Sequence, residues 1–390
     1  MLKIAQITPR YYPSVGGVEK VVQDLSEELA KRGHNVSVLT TDRMHKNQPS
    51  FKGVRNEVLN GVKVFRYRSL FGLGHMSFTP SAILDLIKND YDIVHMHSIR
   101  HPHTIWVPLV NFFKDYKTLL QGHTHFSGSP FNTYLYNQFD RIAFKTIYKK
   151  INVFLTLNSD ELLRFKNFGI NQSRLKLLYN PIKQSLFEKS NTADFIKLNS
   201  LDNKKILLFL GQAHEGKRID LIIKALPQIK NQIKDVVLII AGPDFGNYPK
   251  LKSLAESYKV NNDILFLGEL SEEKKEIVLK SCDVLALPSD YEAFGMVLAE
   301  AMACGKPVIS TKTPGPLEII KNGFNGLLIE KDSVQELAEG AIKLLSDEDY
   351  RMSMGITAKK WAEEKFSIGG IVDQLEDIYL STQNTNSSLK

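Results

Sequence analysis

The chain has 390 residues, 43% of them hydrophobic and 24% charged, which is enough for two or three globular domains with complete cores. Its two cysteines, Cys282 and Cys304, argue against a disulfide framework and against a cysteine-rich zinc site. Residues 1–185 carry 25 Lys and Arg against 13 Asp and Glu, whereas residues 186–390 carry 25 against 30. The net charge of +7 therefore comes from the N-terminal half.

Hydropathy and charge also bear on location and partners. No apolar run approaches the ~20 residues that a membrane-spanning helix needs, and Met1–Pro9 fits one short strand better than a signal peptide. We expect a cytoplasmic protein. The basic half suits an anionic membrane surface, a phosphorylated lipid carrier or a polyanionic glycan, or it simply keeps the protein soluble. Nucleic acid is not an expected partner, because no recognised binding module accompanies the charge.

The chain begins with a βαβ pattern. The strand Lys3–Ile7 is followed by Gly16-Gly17, by a helix with apolar residues at helical spacing, and by the strand Val36–Thr40 after Gly33. A double glycine before a helix lets backbone N–H groups face a phosphate. It is not the Gly-x-Gly-x-x-Gly loop of dinucleotide binding, which argues against a dehydrogenase. The polar stretch from Asp42 to Asn60 is predicted to be a loop.

Histidines concentrate in the middle of the N-terminal half. Six of the ten fall within one short region: His95, His97, His101, His103, His123 and His125. Alternation along the strand Tyr91–His97 puts His95 and His97 on one face. A second strand starts at Leu119 and runs into the loop that carries His123 and His125. A His-x-His pair at a strand end can also hold zinc, but we expect no metal.

Aromatic and basic residues interleave from Asn132 to Lys150. The segment is either an interfacial helix resting on a membrane or a helix that covers the sheet with its lysines in water, and the second interpretation is favoured. The strands Val153–Ser159 and Leu175–Ile182 follow, and the polar residues 183–203 are the expected domain junction.

The second half repeats the strand–loop–helix pattern. The strand Ile206–Gly211 leads into a loop and then a helix from Ile219, and two further strands end in glycine at Gly242 and Gly268. The apolar run Val284–Pro288 predicts a buried strand. Glu292 then lies in the loop after it and Glu300 on the next helix, so both carboxylates face the region beyond the strand ends. Open α/β sheets bind ligands there.

One string in this half resembles a known family. Glu292 and Glu300 are separated by seven residues and framed by Phe294-Gly295 and by Gly305-Lys306-Pro307. The framed string resembles the Glu-x7-Glu motif of retaining glycosyltransferases, above all family 4. The resemblance covers Lys3 to about Tyr379. It implies a GT-B fold, in which two Rossmann-like βαβ domains face each other across a central cleft.

The resemblance also implies an activity. It is the transfer, with retention, of a hexosyl unit from a nucleotide diphosphate sugar, UDP- or GDP-linked, to a glycan or lipid-linked acceptor. No cofactor and no metal ion is expected. The domains would be residues 1–183 on the acceptor side, completed by a helix at about 366–380, and residues 184–365 for the nucleotide sugar. Residues 381–390 are expected to be a disordered tail.

The resemblance assigns the donor-binding residues one by one. Gly16 and Gly17 would meet the diphosphate. The loop Gly211–Arg218 resembles a Gly-Arg…Lys-Gly loop whose two cations neutralise the diphosphate as the sugar leaves. Lys217 matches the Lys, Gln212 stands where the family has Arg, and Arg218 stands where it has Gly. Arg218 is therefore a candidate to supply the missing charge from a different angle.

Further roles follow by the same resemblance. The base would lie against Gly268, Glu269 and Leu270. Glu292 would reach sugar hydroxyls and Glu300 the two ribose hydroxyls. The segment of Ala293, Phe294, Gly295 and Met296 would line the donor, with its N–H groups toward the diphosphate. The expected catalytic residues are His123, Glu292 and Lys217. His95, His97 and His125 would line the cleft, and His125 is the alternative to His123 beside the sugar.

Two other classes of function remain open. A nucleotide-sugar isomerase or epimerase can share this two-domain fold and needs no acceptor. A non-catalytic nucleotide-sugar-binding protein would keep the C-terminal motif, and Gln212 is the feature that favours it.

Overall fold

The computed structural model describes residues 1–14, 16–44, 50–73, 76–123 and 130–384. The chain divides into two compact units. Unit 1 consists of Met1–Pro181 and Ile368–Lys390, and unit 2 is Ile182–Ser367. Each unit contains one large sheet with helices, which confirms the prediction of two Rossmann-like α/β units.

Unit 1 contains ten strands and six helices within its described residues. In chain order the first elements are β1 Lys3–Ile7, α1 Gly17–Lys31, β2 Asn35–Thr41, β3 Asn56–Leu59, β4 Val62–Tyr67, β5 Phe71–Leu73, β6 Met76–Phe78 and α2 Pro80–Lys88. They are followed by β7 Ile93–His97, α3 His103–Val110, β8 Lys117–Gln121, α4 Pro130–Lys145, β9 Val153–Thr156, α5 Ser159–Asn167 and β10 Leu175–Leu177.

The main sheet of unit 1 has the order β10-β9-β8-β7-β1-β2-β4-β3, and β5 and β6 form a separate pair. All neighbours in the main sheet are parallel except β3 and β4. The strand order reverses at β1, which lies between β2 and β7. The carboxyl ends of β1 and β7 therefore meet at the point where such sheets open a crevice.

The predicted loop from Asp42 to Asn60 is wrong in its last residues, because Asn56–Leu59 form β3. The reason is the turn that follows. Asn60 and Gly61 have φ of 48° and 85°, the left-handed pair that a two-residue hairpin requires. Asn-Gly is the strongest short-range signal for such a turn, and it pairs β3 with β4 in antiparallel register.

Helices α2, α3, α4 and α5 pack over one face of the unit 1 sheet around a shared core. Phe144 and Tyr148, from the aromatic and basic stretch, are buried there with their rings edge to face at 4.9 Å. Phe139 and Ile142 of the same stretch remain exposed. The helix therefore covers the sheet and still leaves apolar side chains on its outer side.

Unit 2 begins with α6 Ala193–Leu198, a helix inside the stretch predicted to be an irregular junction. Its first half continues with β11 Lys205–Leu210, α7 Ile219–Gln232, β12 Val236–Ala241, α8 Tyr248–Ser257, β13 Ile264–Gly268, α9 Glu272–Ser281 and β14 Val284–Leu287. Its second half contains α10 Met296–Ala303, β15 Val308–Thr311, α11 Pro314–Ile319, β16 Leu327–Ile329, α12 Val334–Ser346 and α13 Glu348–Phe366.

The unit 2 sheet has the order β13-β12-β11-β14-β15-β16, and every pair of neighbours is parallel. The order reverses at β11, which is flanked by β12 and β14. The loops after β11 and β14 therefore leave the same edge of the sheet at its switch point. These two loops carry Lys217 and Glu292.

The last helix, α14 Ile368–Asn384, belongs to unit 1 although the chain reaches it through unit 2. It begins slightly later than the helix predicted at about 366–380, and it extends at its other end into the expected tail. Ile371, Val372 and Leu375 are buried, and the helix packs against α1. Arg32 at the end of α1 donates to Asp373 at 2.6 Å and to Glu376 at 2.7 Å.

Candidate active site

The loops after β11 and β14 place a cation against a carboxylate. Lys217 ends the short 3-10 turn Glu215–Lys217, and Glu292 lies between β14 and α10. Lys217 Nζ donates to Glu292 Oε1, and the two side chains are 17% and 10% exposed. Because β11 and β14 are hydrogen-bonded neighbours, residues 75 positions apart in the sequence meet at one sheet edge.

The Glu292 loop is held by close backbone packing. Gly295 precedes α10 with φ of 88°, a left-handed conformation in which glycine is unstrained. Gly315, near the start of α11, donates its N–H to the Glu292 carbonyl at 2.9 Å. A Cβ on Gly315 would lie 2.6 Å from the Phe294 carbonyl oxygen, so only glycine permits this approach. The predicted donor-binding residues Ala293, Phe294 and Met296 lie in the same segment.

Glycines also bring together the loops after β11, β12 and β13. Gly242 donates its N–H to the carbonyl of Gly268 at 2.7 Å. A Cβ on Gly242, which has φ of 129°, would lie 2.0 Å from the carbonyl oxygen of Gly211. Gln212 follows Gly211 in this packed arrangement and is half-buried. Glu269 is exposed after Gly268, and Leu270 is half-buried.

Arg218 adopts a left-handed conformation before α7, with φ of 52°. Its guanidinium is 3.1 Å from Asp220 and 3.2 Å from Asp290, and it also contacts Asp332. The hydrogen bond to Asp220 is the largest factor that raises the pKa of Arg218. Three carboxylates therefore engage the side chain that was the candidate for neutralising phosphate in place of Gln212. Sequence reasoning did not identify these aspartates as partners of Arg218, because two of them come from distant loops.

Glu300 on α10 has a partner that sequence reasoning missed. Lys275 on α9 donates from Nζ to Glu300 Oε1 at 2.6 Å, and the Glu300 side chain is 7% exposed. A buried carboxylate is stabilised by such a cation. Lys275 stands among several lysines of a polar helix, and no local pattern distinguishes it from the others.

In unit 1 three of the predicted histidines pack against one another, His95 and His97 fully buried and His123 half-buried. His95 and His97 lie on one face of β7 with ring centroids 4.2 Å apart, as the alternation predicted. His97 Nδ1 is 3.2 Å from Nε2 of His123, which follows β8 with φ of 49°. Burial lowers the pKa of His95 and of His123 to about 3, and it lowers the pKa of His97 well below its usual value. These rings are therefore neutral at pH 7.

Two residues that the sequence did not single out complete this cluster. Gln6 on β1 contacts His97, with 2.7 Å between Gln6 Oε1 and His97 Nε2. Tyr379 on α14 accepts from Gln6 Nε2 at 3.2 Å, and its hydroxyl is 2.9 Å from His95 Nδ1. The predicted residue His125 lies outside the described residues.

Gly16 and Gly17 stand at the start of α1 as predicted. Gly17 is the first helical residue, and Gly16 is extended before it. Glu19 lies beside this helix start, and its carboxylate accepts from Arg10 Nε at 2.8 Å. Among the described residues, no group of three or more His, Cys, Asp or Glu is arranged to hold a metal ion.

Two family models match the chain. Residues 15–185 match Glycosyltransferase Family 4, and residues 190–361 match Glycosyl transferases group 1. The chain belongs to glycosyltransferase family 4. As a member of this family it is a retaining glycosyltransferase that uses a nucleotide sugar, as the resemblance implied.

Relatives of this family 4 chain match it end to end. It is 28% identical to an uncharacterized glycosyltransferase of Methanocaldococcus jannaschii, over 97% of this chain and 98% of that protein. It is 26% identical to the N-acetyl-alpha-D-glucosaminyl L-malate synthase of Bacillus anthracis, over 94% of each. The crystal structure of Anabaena Alr3699/HepE in complex with UDP and glucose superposes with a TM-score of 0.78 at 20% identity, covering 98% of this chain and 100% of that one. The predicted GT-B fold is confirmed.

Proposed function

We propose that this glycosyltransferase transfers a hexosyl unit from a UDP-sugar to a glycan or lipid-linked acceptor. Unit 2 binds the donor and unit 1 serves the acceptor. The observation that carries the proposal is the Lys217–Glu292 pair at the switch point of the unit 2 sheet. UDP is favoured as the nucleotide because HepE, of the same fold, is described in complex with UDP and glucose.

Lys217 and the start of α10 supply the positive charge that the donor diphosphate needs. The N–H groups at a helix start and a lysine both stabilise negative charge, and that charge grows on the phosphate as the sugar leaves. The backbone from Phe294 to Met296 offers these N–H groups. Gly16 and Gly17 offer similar ones at the start of α1. Together with Lys217 these N–H groups offset the charge of the diphosphate, so no metal ion is needed to bind it.

Glu292 accepts hydrogen bonds from sugar hydroxyls, and Glu300 accepts them from the ribose diol. Lys275 donates to Glu300 and fixes its position, which suits a two-oxygen acceptor for two hydroxyls. The base lies against Gly268, Glu269 and Leu270. Gln212 donates a neutral hydrogen bond to the diphosphate. Arg218, with its three aspartates, orders the loop that presents Lys217 and makes no direct phosphate contact in this proposal.

The pairing of Glu292 with Lys217 also bears on the mechanism. Lys217 donates to Glu292 and orients its carboxylate, which then holds the sugar. The acceptor hydroxyl attacks from the side of the leaving group, and the departing phosphate takes its proton. His123, neutral at pH 7, contacts the donor sugar beside the reacting centre, and His95 and His97 support it.

Nucleotide-sugar binding tests the donor assignment. Isothermal titration with UDP-, GDP- and ADP-sugars, without added metal, should give the tightest binding for a UDP-sugar, and Lys217→Ala should weaken it. Tighter binding of a GDP-sugar would replace the proposed base. Conversion of the UDP-sugar to an isomer without an acceptor would indicate an epimerase. Binding with neither transfer nor conversion, across an acceptor panel, would indicate a non-catalytic binding protein.

We also propose that unit 1 contacts an anionic membrane from the cytoplasmic side, where a lipid-linked acceptor would lie. Helices α2 and α3 pack together, and large apolar side chains of these helices and of the turn directly after α3 are exposed: Leu84, Ile87, Leu109, Phe112 and Phe113. Lys150 stands 3.2 Å over the Phe112 ring. Apolar side chains flanked by lysines suit the boundary between lipid headgroups and acyl chains.

Vesicle sedimentation tests this surface. Vesicles of phosphatidylcholine with phosphatidylglycerol should sediment the protein, and phosphatidylcholine alone should do so less. Replacing Phe112 and Phe113 by Ser should abolish binding, whereas replacing the exposed Met352 and Ile356 of unit 2 should not. Equal binding by both double variants would refute the surface. In the part of the chain that the structure describes, no helix is long and apolar enough to cross a membrane.

A further inference from the structure

The loop between β12 and α8, residues 242–247, is the spacer loop of unit 2. It lies between the loop after β11, residues 211–218, which is the proposed diphosphate loop, and the loop after β13, residues 268–270, which is the proposed base loop. The sheet order β13-β12-β11 places the spacer loop between the other two at the sheet edge. Its geometry therefore sets the distance from the base to the diphosphate.

Backbone hydrogen bonds join the spacer loop to the diphosphate loop. Gly211 donates its N–H to the carbonyl of Ala241 at 2.9 Å, at the end of β12. Ala213 donates to the carbonyl of Pro243 at 2.9 Å, and Phe245 donates to the carbonyl of Ala213 at 3.1 Å. These bonds continue the parallel pairing of β11 with β12 beyond the sheet. The diphosphate loop therefore cannot shift without the spacer loop.

On its other side the spacer loop contacts the base loop. Gly242 donates its N–H to the carbonyl of Gly268 at 2.7 Å. Just before this contact the pairing of β12 with β13 contains a bulge, so that Ala241 is paired with Gly268 and Leu267 is passed over. The regular pairing therefore ends where the base loop begins, and the Gly242 peptide joins the base loop to the spacer loop.

Tyr248, the first residue of α8, fixes the Gly242 peptide. Its hydroxyl is 2.8 Å from the Gly242 carbonyl oxygen, and its ring meets Phe266 of β13 edge to face with the centroids 5.1 Å apart. A carbonyl oxygen can only accept, so the Tyr248 hydroxyl is the donor. Burial raises the pKa of Tyr248, so the hydroxyl keeps its hydrogen at pH 7.

Asp244 of the spacer loop fixes the position of Tyr248. Asp244 Oδ1 accepts from the N–H groups of the three residues that lead into α8: Gly246 at 2.9 Å, Asn247 at 2.8 Å and Tyr248 at 3.0 Å. One oxygen that accepts several N–H groups at the start of a helix orients the first turn of that helix. The contact between Tyr248 and Gly242 therefore depends on Asp244.

We propose that Tyr248 is a positioning residue for the donor: through the Gly242 peptide it sets the base loop and the diphosphate loop at the spacing of a nucleoside diphosphate. The inference rests on the proposed function, in which these loops bind the two ends of UDP. A ligand that contains both base and diphosphate must match this spacing, whereas uridine or pyrophosphate alone needs only one of the loops. Tyr248 therefore contributes to binding of the connected ligand and not to binding of its fragments.

Amide hydrogen exchange tests the structural part in the unliganded protein. Protein labelled with ¹⁵N-glycine reports Gly242, whose N–H is bonded to Gly268, and Gly315, whose N–H is bonded to Glu292 elsewhere in unit 2. In Tyr248→Phe, exchange at Gly242 should become at least about 10-fold faster, and exchange at Gly315 should not change. An unchanged rate at Gly242, or equal acceleration of both amides, would overturn the proposal.

Titration with UDP and with its fragments tests the functional part. Tyr248→Phe keeps the ring against Phe266 but should weaken UDP binding about 10-fold, the effect of one ordinary hydrogen bond, and leave the Kd values of uridine and pyrophosphate unchanged. The matched control is Tyr116→Phe in unit 1, which removes a hydroxyl that also donates to a backbone carbonyl at 2.8 Å, that of Val107. Equal weakening of UDP and of both fragments, or an equal loss in the control, would overturn the proposal.

Two substitutions at Asp244 provide an independent check. Asp244→Ala removes the acceptor that orients Tyr248 and should weaken UDP binding about as much as Tyr248→Phe. Asp244→Asn keeps a side-chain oxygen that can accept from the same N–H groups, so most of the affinity should be retained. Equal losses in the two Asp244 variants would show that the charge matters rather than the position of Tyr248, and would overturn the proposal.

The two kinds of measurement also separate this inference from the proposed function. If the wild type binds none of UDP, GDP and ADP, but exchange at Gly242 responds to Tyr248→Phe as expected, the donor assignment fails. The role of Tyr248 in joining the base loop to the diphosphate loop then stands.

Discussion

Lys217 and Glu292 are joined by an ion pair across the two loops that leave the switch point of the unit 2 sheet. Each of the two groups therefore compensates the charge of the other. A diphosphate that uses Lys217 must share it with Glu292, and a sugar that uses Glu292 meets a carboxylate already oriented by Lys217. In the proposed site, binding of the diphosphate and binding of the sugar are therefore coupled through this one ion pair.

Replacing either Lys217 or Glu292 should lower the rate of glycosyl transfer strongly. We expect Lys217→Ala and Glu292→Ala each to lower kcat at least about 100-fold, because each removes preorganised stabilisation of the leaving group or the sugar. Circular dichroism and thermal unfolding of the purified variants serve as the check on folding. Near-normal transfer by either folded variant would refute the assigned site.

The shared lysine leads to a second, less obvious expectation for Glu292→Gln. Lys217 is then released from its carboxylate, so UDP, which lacks the transferred hexosyl unit, should bind several-fold tighter, while the UDP-sugar is turned over more slowly. Titration calorimetry with UDP measures the effect. The control is Glu330→Gln, which removes the exposed partner of Lys312 and should leave the Kd unchanged. A weaker or unchanged Kd for UDP in Glu292→Gln would show that Lys217 does not bind the diphosphate.

The Lys275–Glu300 pair predicts that replacing Lys275 weakens binding of the ribose part of the nucleotide. Lys275→Met leaves Glu300 buried without this cation, so its contact with the ribose diol should be lost and UDP affinity should fall about 10-fold. The wild type should bind UDP more tightly than 2′-deoxy-UDP, and Lys275→Met should not discriminate between them. Full retention of that discrimination in the variant would contradict the ribose assignment.

The close packing of Gly315 against the Phe294 backbone predicts that a side chain at position 315 lowers both stability and turnover. Gly315→Ala forces a Cβ against the Phe294 backbone, so the Glu292 loop must move, and we expect stability to fall by about 1–3 kcal/mol. Turnover should fall by at least about 10-fold through displacement of Glu292. Gly369→Ala is the matched control, since its Cβ would meet nothing closer than 3.9 Å. Equal behaviour of the two variants in urea unfolding and in turnover would refute the close-packing argument.

Acid should unfold unit 1 before unit 2. Burial lowers the pKa of His95, His103 and His123 to about 3, whereas the unfolded chain titrates near 6.5, so the unfolded state binds more protons between these values. The contribution of each such histidine to the stability of unit 1 is therefore fully present above about pH 6.5. Below that pH, each histidine lowers the free energy of unfolding of unit 1 by about 1.4 kcal/mol per pH unit. Unit 2 contains one histidine, His214.

The two tryptophans report this difference directly, since Trp106 lies in unit 1 and Trp361 in unit 2. In Trp361→Phe the fluorescence of Trp106 should change at a higher pH than the fluorescence of Trp361 in Trp106→Phe. Coincident acid transitions, or an earlier change at Trp361, would contradict the expectation.

The sequence predicted what depends on local pattern. Apolar runs located most strands, and the framed pair Glu292 and Glu300 located one side of the site, because both sit at fixed offsets from β14. The hairpin at Asn60-Gly61 was missed although its turn signal was present. Lys275 and Tyr379 could not be found, since their roles exist only through contacts across the fold: Gln6 and Tyr379 are 373 positions apart. For Arg218, the distant partners Asp290 and Asp332 could not be predicted from local pattern either.

The position of α14 has a consequence for how the protein is made. The helix supplies Tyr379 and the apolar side chains Ile371, Val372 and Leu375 to unit 1, yet the ribosome synthesises it after the whole of unit 2. Within unit 2, Ile182 donates its N–H to Phe366 at 2.7 Å, so that unit closes on itself between two adjacent ends. Unit 2 can therefore fold during synthesis as a self-contained insertion. Unit 1 starts to be synthesised earlier, but the side of α1 that packs against α14 stays uncovered until α14 has been synthesised.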